Sequence, residues 1–426
     1  MGRLTQNEWE KKYIVGSVKQ FDQKNTMFQR WSWDPSIRKK IKDWRFLGEV
    51  GKKPGYSLQE LALRRACRLV GTQLLLFNMS KPNPSRMARA LDRAMKEAKR
   101  TTLLPGQTPE KGSSRVEAPD WARDFYVSSP DRVTRDIKKT ALYFGADLVG
   151  ICRLDRRWVY SHSYEGEGPE GGPGDARVVE GDHKVQEIPE NYQYAVVMAY
   201  EEDYDMIKYS PSWIAHADTS RGYSKMAIAN AHLSSFIQSL GYNAIDCTTN
   251  EVALSVPMAM QAGLGELGRN GLLITPEFGP RIRLSKVITD LPLMPDSPID
   301  TGVIEFCGIC KKCADTCPSR SILFGDRTSV PLNISNAGGA LKWPVDAEKC
   351  RAYWGRVDRP CTNCVAVCPF NKPYTWFHRM VRSFIDKIRW GDPLYFKMDD
   401  VCGYGKSQDP VKFWEEWRPK RRRRPY

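Results

Sequence analysis

The sequence predicts a mixed α/β (α+β) chain with a helical N-terminal region, an α/β core and an inserted two-centre cysteine block of the bacterial ferredoxin type. Three observations carry this. Amphipathic helices and short apolar strands alternate from Ser128 to Thr289, eight of the 12 cysteines fall between positions 307 and 368, and residues 1–127 are polar, rich in Trp and Lys, with patches of helical periodicity. A chain of 426 residues, 41% hydrophobic, can build two or three cores. The boundaries drawn are 1–127 for a helical, wrapping N-terminal region and 128–300 for the core, with a glycine-rich insertion at about 160–190. The cysteine domain follows at 301–375, and 376–426 is a C-terminal region with a basic tail.

In chain order, Leu58 to Leu76 places Leu61, Leu63, Ala66, Leu69, Val70 and Leu74 at helical spacing. Thr101 to Pro119, rich in Gly, Pro, Ser and Lys, reads as a linker or extended wrap. A helix is expected over Pro130–Tyr143 behind Ser129 as cap, then a strand at Ala146–Ile151. The segment from 165 to 174 is a glycine-rich insertion, and Tyr194–Ala199 a second strand. Arg221–Leu240 reads as an amphipathic helix with Met226, Ile228, Leu233, Phe236, Ile237 and Leu240 on or near one face. Tyr242–Ile245 and Pro280–Thr289 supply two more strands.

The net charge is +15, six of it in the tail from Arg418 to Arg424. Such a balance points to an anionic partner: nucleic acid, a membrane surface or an anionic ligand. The tail reads equally as a solvated, disordered end. No apolar stretch approaches the roughly 20 residues that a membrane-spanning helix needs, and no apolar signal segment stands near Met1. The expectation is a cytosolic chain, or a mature form whose leader has been removed.

Cys307, Cys310, Cys313 and Cys317 stand at C-x2-C-x2-C-x3-C before Pro318. This is the bacterial 4Fe-4S spacing, in which three close thiolates hold one cubane and the fourth, before Pro, ligates the other. The second motif, Cys361, Cys364 and Cys368 before Pro369, has Asp358 where its first cysteine would stand; Cys350 upstream can supply that thiolate. Cross-ligation then groups Cys307, Cys310, Cys313 and Cys368 on one cluster, and Cys350, Cys361, Cys364 and Cys317 on the other. Cys67, Cys152, Cys247 and Cys402 are scattered and read as incidental thiols. Two adjacent clusters deliver single electrons, so residues 128–300 must hold a redox centre or substrate site, or else the chain passes electrons to a partner.

Gly263, Gly265 and Gly268 match G-x-G-x-x-G. A dinucleotide site needs a strand before this motif and a helix after it. Here Ser255 to Ala262 looks helical and Arg269, Asn270 and Gly271 look like another turn. The better reading is a loop, Gly263, Gly265, Gly268, Asn270 and Gly271, whose backbone amides approach a large ligand.

The segments FGADLVGI (Phe144–Ile151), GYSKMA (Gly222–Ala227), LGYNAI (Leu240–Ile245), AGLGELGRNGLLITPEFGPRIR (Ala262–Arg283), TDLPL (Thr289–Leu293) and EFCGICKKCADTCPSRSI (Glu305–Ile322) together resemble the reductive dehalogenase family, over about residues 125–375. The resemblance implies a nitroreductase-like α/β core holding a buried, base-off corrinoid (cobalamin-type) beside two 4Fe-4S clusters. It also implies replacement of carbon–halogen by carbon–hydrogen in anaerobic organohalide respiration, fed by an electron donor of the respiratory chain. The family's precursors carry an export leader, absent here, and the mature enzyme sits peripherally on the extracytoplasmic face of the cell membrane with a small membrane anchor protein. His162, His183, His216, His232 and His378 form no D-x-H-x-x-G corrinoid motif, which fits cobalt without a His below it.

By the same resemblance, the family's proton donor matches Tyr223 and its basic partner Arg283. Its active-site Asn falls on Asn250, or on Thr249, because the loop from Cys247 to Glu251 is one residue longer than the family's. A phenol, with an ordinary pKa of about 10, is a poor acid at neutral pH unless a cation stabilises the phenolate. A buried Arg does this without losing its own proton. Read on residues alone, Tyr223 is a core aromatic at a helix start and Arg283 a surface strand residue; the resemblance reverses that reading. The substrate class expected is a small chlorinated alkane or alkene. Two other functions share these features: an epoxyqueuosine reductase-type enzyme acting on tRNA, and a corrinoid-free electron-transfer protein. The dehalogenase reading takes no nucleic acid as partner.

Overall fold

The structure, a computed structural model, describes residues 2–41, 53–67, 129–165, 181–357, 359–373, 375–387 and 391–416. The expectations placed on the 101–119 linker, the second half of the 58–76 helix, most of the glycine-rich insertion, Asp358 and the basic tail lie outside the described residues.

The N-terminal region supplies β1 (Gly2–Arg3), α1 (Gln6–Tyr13), α2 (Met27–Trp33), α3 (Pro35–Ile41) and α4 (Leu58–Cys67). Thr5 and Glu8 start α1 with a reciprocal capping box, the Thr5 amide donating to the Glu8 carboxylate over 2.7 Å. The core opens with α5 (Pro130–Tyr143) and β2 (Leu148–Arg153), then a hairpin of β3 (His162–Glu165) and β4 (Asp182–Val185). It continues through β5 (Tyr194–Glu201), α6 (Tyr204–Ile207), α7 (Trp213–Ser239), β6 (Ala244–Cys247) and α8 (Ser255–Gln261). The short strands β7 (Glu266–Leu267) and β8 (Leu273–Ile274), then β9 (Ile282–Thr289) and β10 (Ile299–Asp300), complete it. The cysteine block carries α9 (Val303–Cys310), α10 (Lys312–Asp315), α11 (Ala347–Val357) and α12 (Asn363–Ala366), and α13 (Trp376–Lys387), α14 (Asp392–Val401) and α15 (Phe413–Glu416) follow.

The central sheet has the order β2-β5-β9-β6 and is antiparallel throughout. Residues 195–200 of β5 are fully buried, which explains why Tyr194–Tyr200 reads as an unbroken apolar run rather than an alternating one. Val196, Val197 and Met198 each contribute roughly 1.5–3 kcal/mol on burial. Val196, Met198 and Tyr200 face α5 and α7, packing with Val133, Ile137, Met226 and Leu233. Ala195, Val197 and Ala199 face α8 and the cysteine block. That second core runs without a break from Trp9 and Tyr13 of α1 to Phe306, Trp343 and Ile385, so the segments drawn from sequence share one apolar interior. Among the described residues no helix is long and apolar enough to cross a membrane.

The helix expected from Arg221 begins eight residues earlier, at Trp213. Residues 213–220 are buried on every side, so this part has no amphipathic period to betray it. Tyr223 consequently lies inside a helix of 27 residues and does not open it.

Candidate active site and cysteine clusters

The eight cysteines lie in two neighbouring groups. Cys307, Cys310, Cys313 and Cys368 line one cavity with Arg269, Asn270, Ile274, Phe306 and Phe370. Cys350, Cys361, Cys364 and Cys317 are mutual electrostatic neighbours, and Cys364 also senses Cys313, so the sets adjoin. Burial pushes the bare thiols up, to about 12 at Cys350 and about 11 at Cys361 and Cys310, and neighbouring sulfurs add to this at Cys350 and Cys361. Cys317 is the exception: burial raises it, but Ser319 and the Ser321 amide hold it below the usual range. Among the described residues no three of these sulfurs lie within 4.8 Å of one another. A tetrahedral zinc with bonds of about 2.3 Å would draw its sulfurs to about 3.8 Å. The C-x2-C-x2-C-x3-C spacing, with its fourth cysteine before Pro318, is that of a cubane, whose thiolates sit on separate irons.

Fixed charges frame the first set. The Arg269 guanidinium, 2% exposed, donates to the Cys307 carbonyl over 2.9 Å and to Leu323 over 2.7 Å, and stacks 4.4 Å above Trp343. Asp399 bridges Lys312 and Lys372, each at 2.6 Å. Three cations in this region offset the negative charge that thiolate-ligated clusters carry. Arg281 ties the block to the sheet: its Nε donates to Asn371 over 2.9 Å, three residues beyond Cys368, and its Nη1 pairs with Glu201 over 2.6 Å.

The G-x-G-x-x-G turn serves the chain's own packing. A Cβ on Gly265 would meet the Ile274 carbonyl at 2.2 Å. The amides of Gly263, Gly268 and Gly271 already donate to Met260, Leu272 and Gly268. Glu266 within the turn is buried, accepting from Lys12, Tyr13 and Thr301 and joining α1 to the start of the cysteine block.

Tyr223 and Arg283 meet. The Arg283 guanidinium carbon lies 5.4 Å from the Tyr223 ring centre. Strand β9 sends Arg283 and Ser285 to the α7 face, by the twofold alternation of a strand; Ser285 there donates to Asn230 over 2.6 Å. Arg283 Nε donates to Glu202 over 3.0 Å, and Thr219 donates to the same carboxylate oxygen over 2.7 Å while accepting from Arg283 Nη2 at 3.1 Å. Burial works against the Arg283 charge, but Glu202 and Tyr223 outweigh it and its pKa rises. Nearby, burial pushes Asp218 up to about 6 against the pull of Arg221, which donates to it over 2.7 Å.

Asn250 lies elsewhere in the local geometry. It is exposed; its carbonyl accepts from Gln23 over 3.1 Å and its side chain from Ser255 over 3.0 Å. Lys286, fully buried, donates to the Thr249 carbonyl over 2.8 Å and to Ser255 over 3.1 Å. Lys286 points from β9 to the face opposite Arg283, so its bonds anchor the Thr249 carbonyl and Ser255, and with Ser255 the Asn250 side chain, from that opposite face.

The 4Fe-4S dicluster domain matches residues 306–372. The tetrachloroethene reductive dehalogenase of Sulfurospirillum multivorans is 40% identical over 308 residues, 68% of this chain and 60% of that protein. That of Desulfitobacterium hafniense is 41% identical over 324 residues, 70% of this chain and 58% of that protein. The chain is homologous to the reductive dehalogenases. It spans about 60% of the length of these relatives. A solved catabolic reductive dehalogenase shares the fold, with a TM-score of 0.63 at 24% identity over 97% of this chain and 50% of that one. The epoxyqueuosine reductase of Lactococcus garvieae matches less, 34% over 119 residues and 28% of this chain.

In this dehalogenase homologue, Glu202, Thr219 and Lys286 escaped the sequence reading, because a lone polar residue in an apolar run carries no pattern. Gly222, just before Tyr223, held the one available signal: a Cβ there would lie 2.9 Å from Arg283 Cγ. Its absence lets Arg283 lie flat against α7. Gly222→Ala is expected to push the guanidinium away from Tyr223 and lower turnover by up to about 10²-fold, the cost of a displacement near 1 Å. Iron content should not change. Steady-state kinetics with iron analysis check this; unchanged turnover would detach Arg283 from the reaction.

Proposed function

We propose that the protein is a reductive dehalogenase that replaces a carbon–halogen bond with carbon–hydrogen in a small chlorinated alkane or alkene. The observation that carries this reading is the half-buried Arg283 against Tyr223, on a chain that also holds two cysteine sets and resembles tetrachloroethene reductive dehalogenases. The net reaction takes two electrons and one proton per halogen and releases halide. A related solved structure is described as suggesting a mechanism for B12-dependent dehalogenation. The residues here fit a corrinoid: the Tyr160 hydroxyl, beside the 250 loop, and one Glu202 oxygen are buried without a partner. Tyr160 is the group we assign to holding it, and the turn of Gly263, Gly265, Gly268, Asn270 and Gly271 would offer it close backbone surface, since the amides of Gly263, Gly268 and Gly271 are spent within the chain. When bound, the clusters supply single low-potential electrons and the corrinoid a low-valent cobalt that reduces the carbon–halogen bond.

The chain's own residues do the rest. Tyr223 gives its phenolic proton to the substrate carbon. Arg283 stabilises the tyrosinate left behind. Glu202 and Thr219 are positioning residues that hold the guanidinium in place. Asn250, or Thr249 in its stead, hydrogen-bonds the substrate or the departing halide. The proposed setting is the extracytoplasmic face of the cell membrane, with a small anchor protein and a respiratory electron donor as partners. The proposed domains are the four segments drawn from sequence.

Anaerobically reconstituted protein should carry about eight iron and one cobalt per chain, the iron following from two cubanes of four. It should release halide from chlorinated ethenes when given a low-potential donor. Iron near four with no bound cobalt, or full loading without halide release from any organohalide in a panel, overturns the reading.

A further inference from the structure

We propose that Asp22, His162 and His183 bind one divalent cation of the zinc, cobalt and nickel class, at a site separate from the cysteine clusters and from the Tyr223–Arg283 pair. The ligand atoms of the three side chains all lie within 4.8 Å of one another, the only such His, Cys, Asp or Glu group among the described residues. Each comes from a different element. Asp22 caps the 3-10 turn Gln23–Asn25, His162 opens β3, and His183 stands on β4. In the hairpin register His162 faces Val185 and His183 faces Tyr164, so the two histidines are diagonal neighbours on one face. Their rings sit 4.7 Å apart, tilted by 33°. His183 Nε2 lies 3.0 and 3.2 Å from the two Asp22 oxygens.

The second contacts of these groups are those of a ligand set. His162 Nδ1 meets the Ser161 hydroxyl at 3.1 Å, which orients the ring and leaves Nε2 for a metal. The Lys24 amide donates to Asp22 Oδ1 over 2.9 Å, which fixes the carboxylate beside His183. A hydrogen bond between His183 and Asp22 alone would explain only two of the three residues. It gives no reason for a second imidazole against the first, a pairing that turns repulsive when both are protonated. Two neutral imidazoles and one carboxylate are a borderline donor set, suited to zinc, cobalt or nickel and poor for calcium or magnesium, which take oxygen. The half-exposed position leaves room for water in the remaining coordination places.

The site has a structural consequence. Gln23, next to Asp22, accepts from the Tyr164 amide over 2.8 Å and donates to the carbonyls of Asn250 and Glu251 over 3.1 and 3.0 Å. A metal joining Asp22 to the hairpin would therefore brace the 250 loop through Gln23.

The test uses the full chain with its clusters intact, treated with chelator, titrated with zinc and desalted. About one zinc per chain should remain, and zinc-edge X-ray absorption should show only nitrogen and oxygen neighbours at about 2.0–2.2 Å. His183→Ala and the milder His162→Gln should each abolish retention while leaving iron content unchanged. Zinc should also raise the thermal midpoint of the wild type and not of the variants. No retained zinc, sulfur neighbours at about 2.3 Å, or equal retention by both variants would each overturn the proposal. Because none of these readouts is dehalogenation, the result stands apart from the proposed activity.

Discussion

Tyr223→Phe is expected to lower turnover by roughly 10²–10⁴-fold, the usual contribution of a positioned general acid, with iron and cobalt contents unchanged. The change removes one oxygen and keeps the ring volume, so packing of α7 against β9 should survive. The ring is half-buried against the core formed by Met226, Leu233 and Val287, and that apolar contact does not need the hydroxyl. Reduction of the bound metal centres should proceed as in the wild type, because electrons do not travel through the phenol. Arg283→Lys should cost less, since it keeps a positive charge and loses the planar fork that engages Glu202 and Thr219. Its deficit should shrink as pH falls, when solvent acid partly replaces the phenol. Halide release against pH, measured with metal analysis on the same samples, checks both. Near-normal turnover in a fully loaded Tyr223→Phe protein would make Tyr223 a core aromatic. Loss of cobalt in that variant would make it a cofactor-binding residue and leave the proton source open.

What could be read in the sequence follows the physics of each signal. The α5 bounds, Pro130–Tyr143, emerged as expected because Pro at the first turn and a regular apolar stripe mark that helix on both counts. The four strands of the sheet were visible as apolar runs, shifted by about two residues at β2 and β6, where neighbours along the sheet rather than local residues set the ends. Cysteine grouping was legible because thiolate spacing encodes cluster geometry directly. The first eight residues of α7 were not, since a helix buried all round has no polar face. Nor was the Glu202–Thr219–Arg283 triangle: its members are 17, 64 and 81 positions apart and meet only through the sheet. At Gly265 the Ile274 backbone fills the space a side chain would take. Periodicity cannot distinguish a glycine that admits a cofactor from one that admits the neighbouring strand.

Cys350→Ala should remove the cluster held by Cys361, Cys364 and Cys317 and spare the one held by Cys307, Cys310, Cys313 and Cys368, abolishing halide release. Cys350 is the one ligand assigned outside the regular spacing, 11 residues before Cys361 on the far side of Asp358. In the structure it sits on α11 with Cys361 and Cys317 among its electrostatic neighbours, and Cys364 senses it in turn. Removing it leaves three thiolates for a cubane that needs four. Iron should fall from about eight to about four per chain, or to about seven if a three-iron remnant persists. Electron paramagnetic resonance of the reduced protein should lose the signal that Cys361→Ala also loses and keep the one that Cys307→Ala removes. The surviving cluster keeps its surroundings, because Arg269 and the Lys312–Asp399–Lys372 bridge contact the Cys307 side. Activity should vanish even so, since single electrons must cross both sets in series to reach the substrate site. Two unchanged cluster signals in Cys350→Ala would transfer the ligand role to another residue and undo the pairing of the sets.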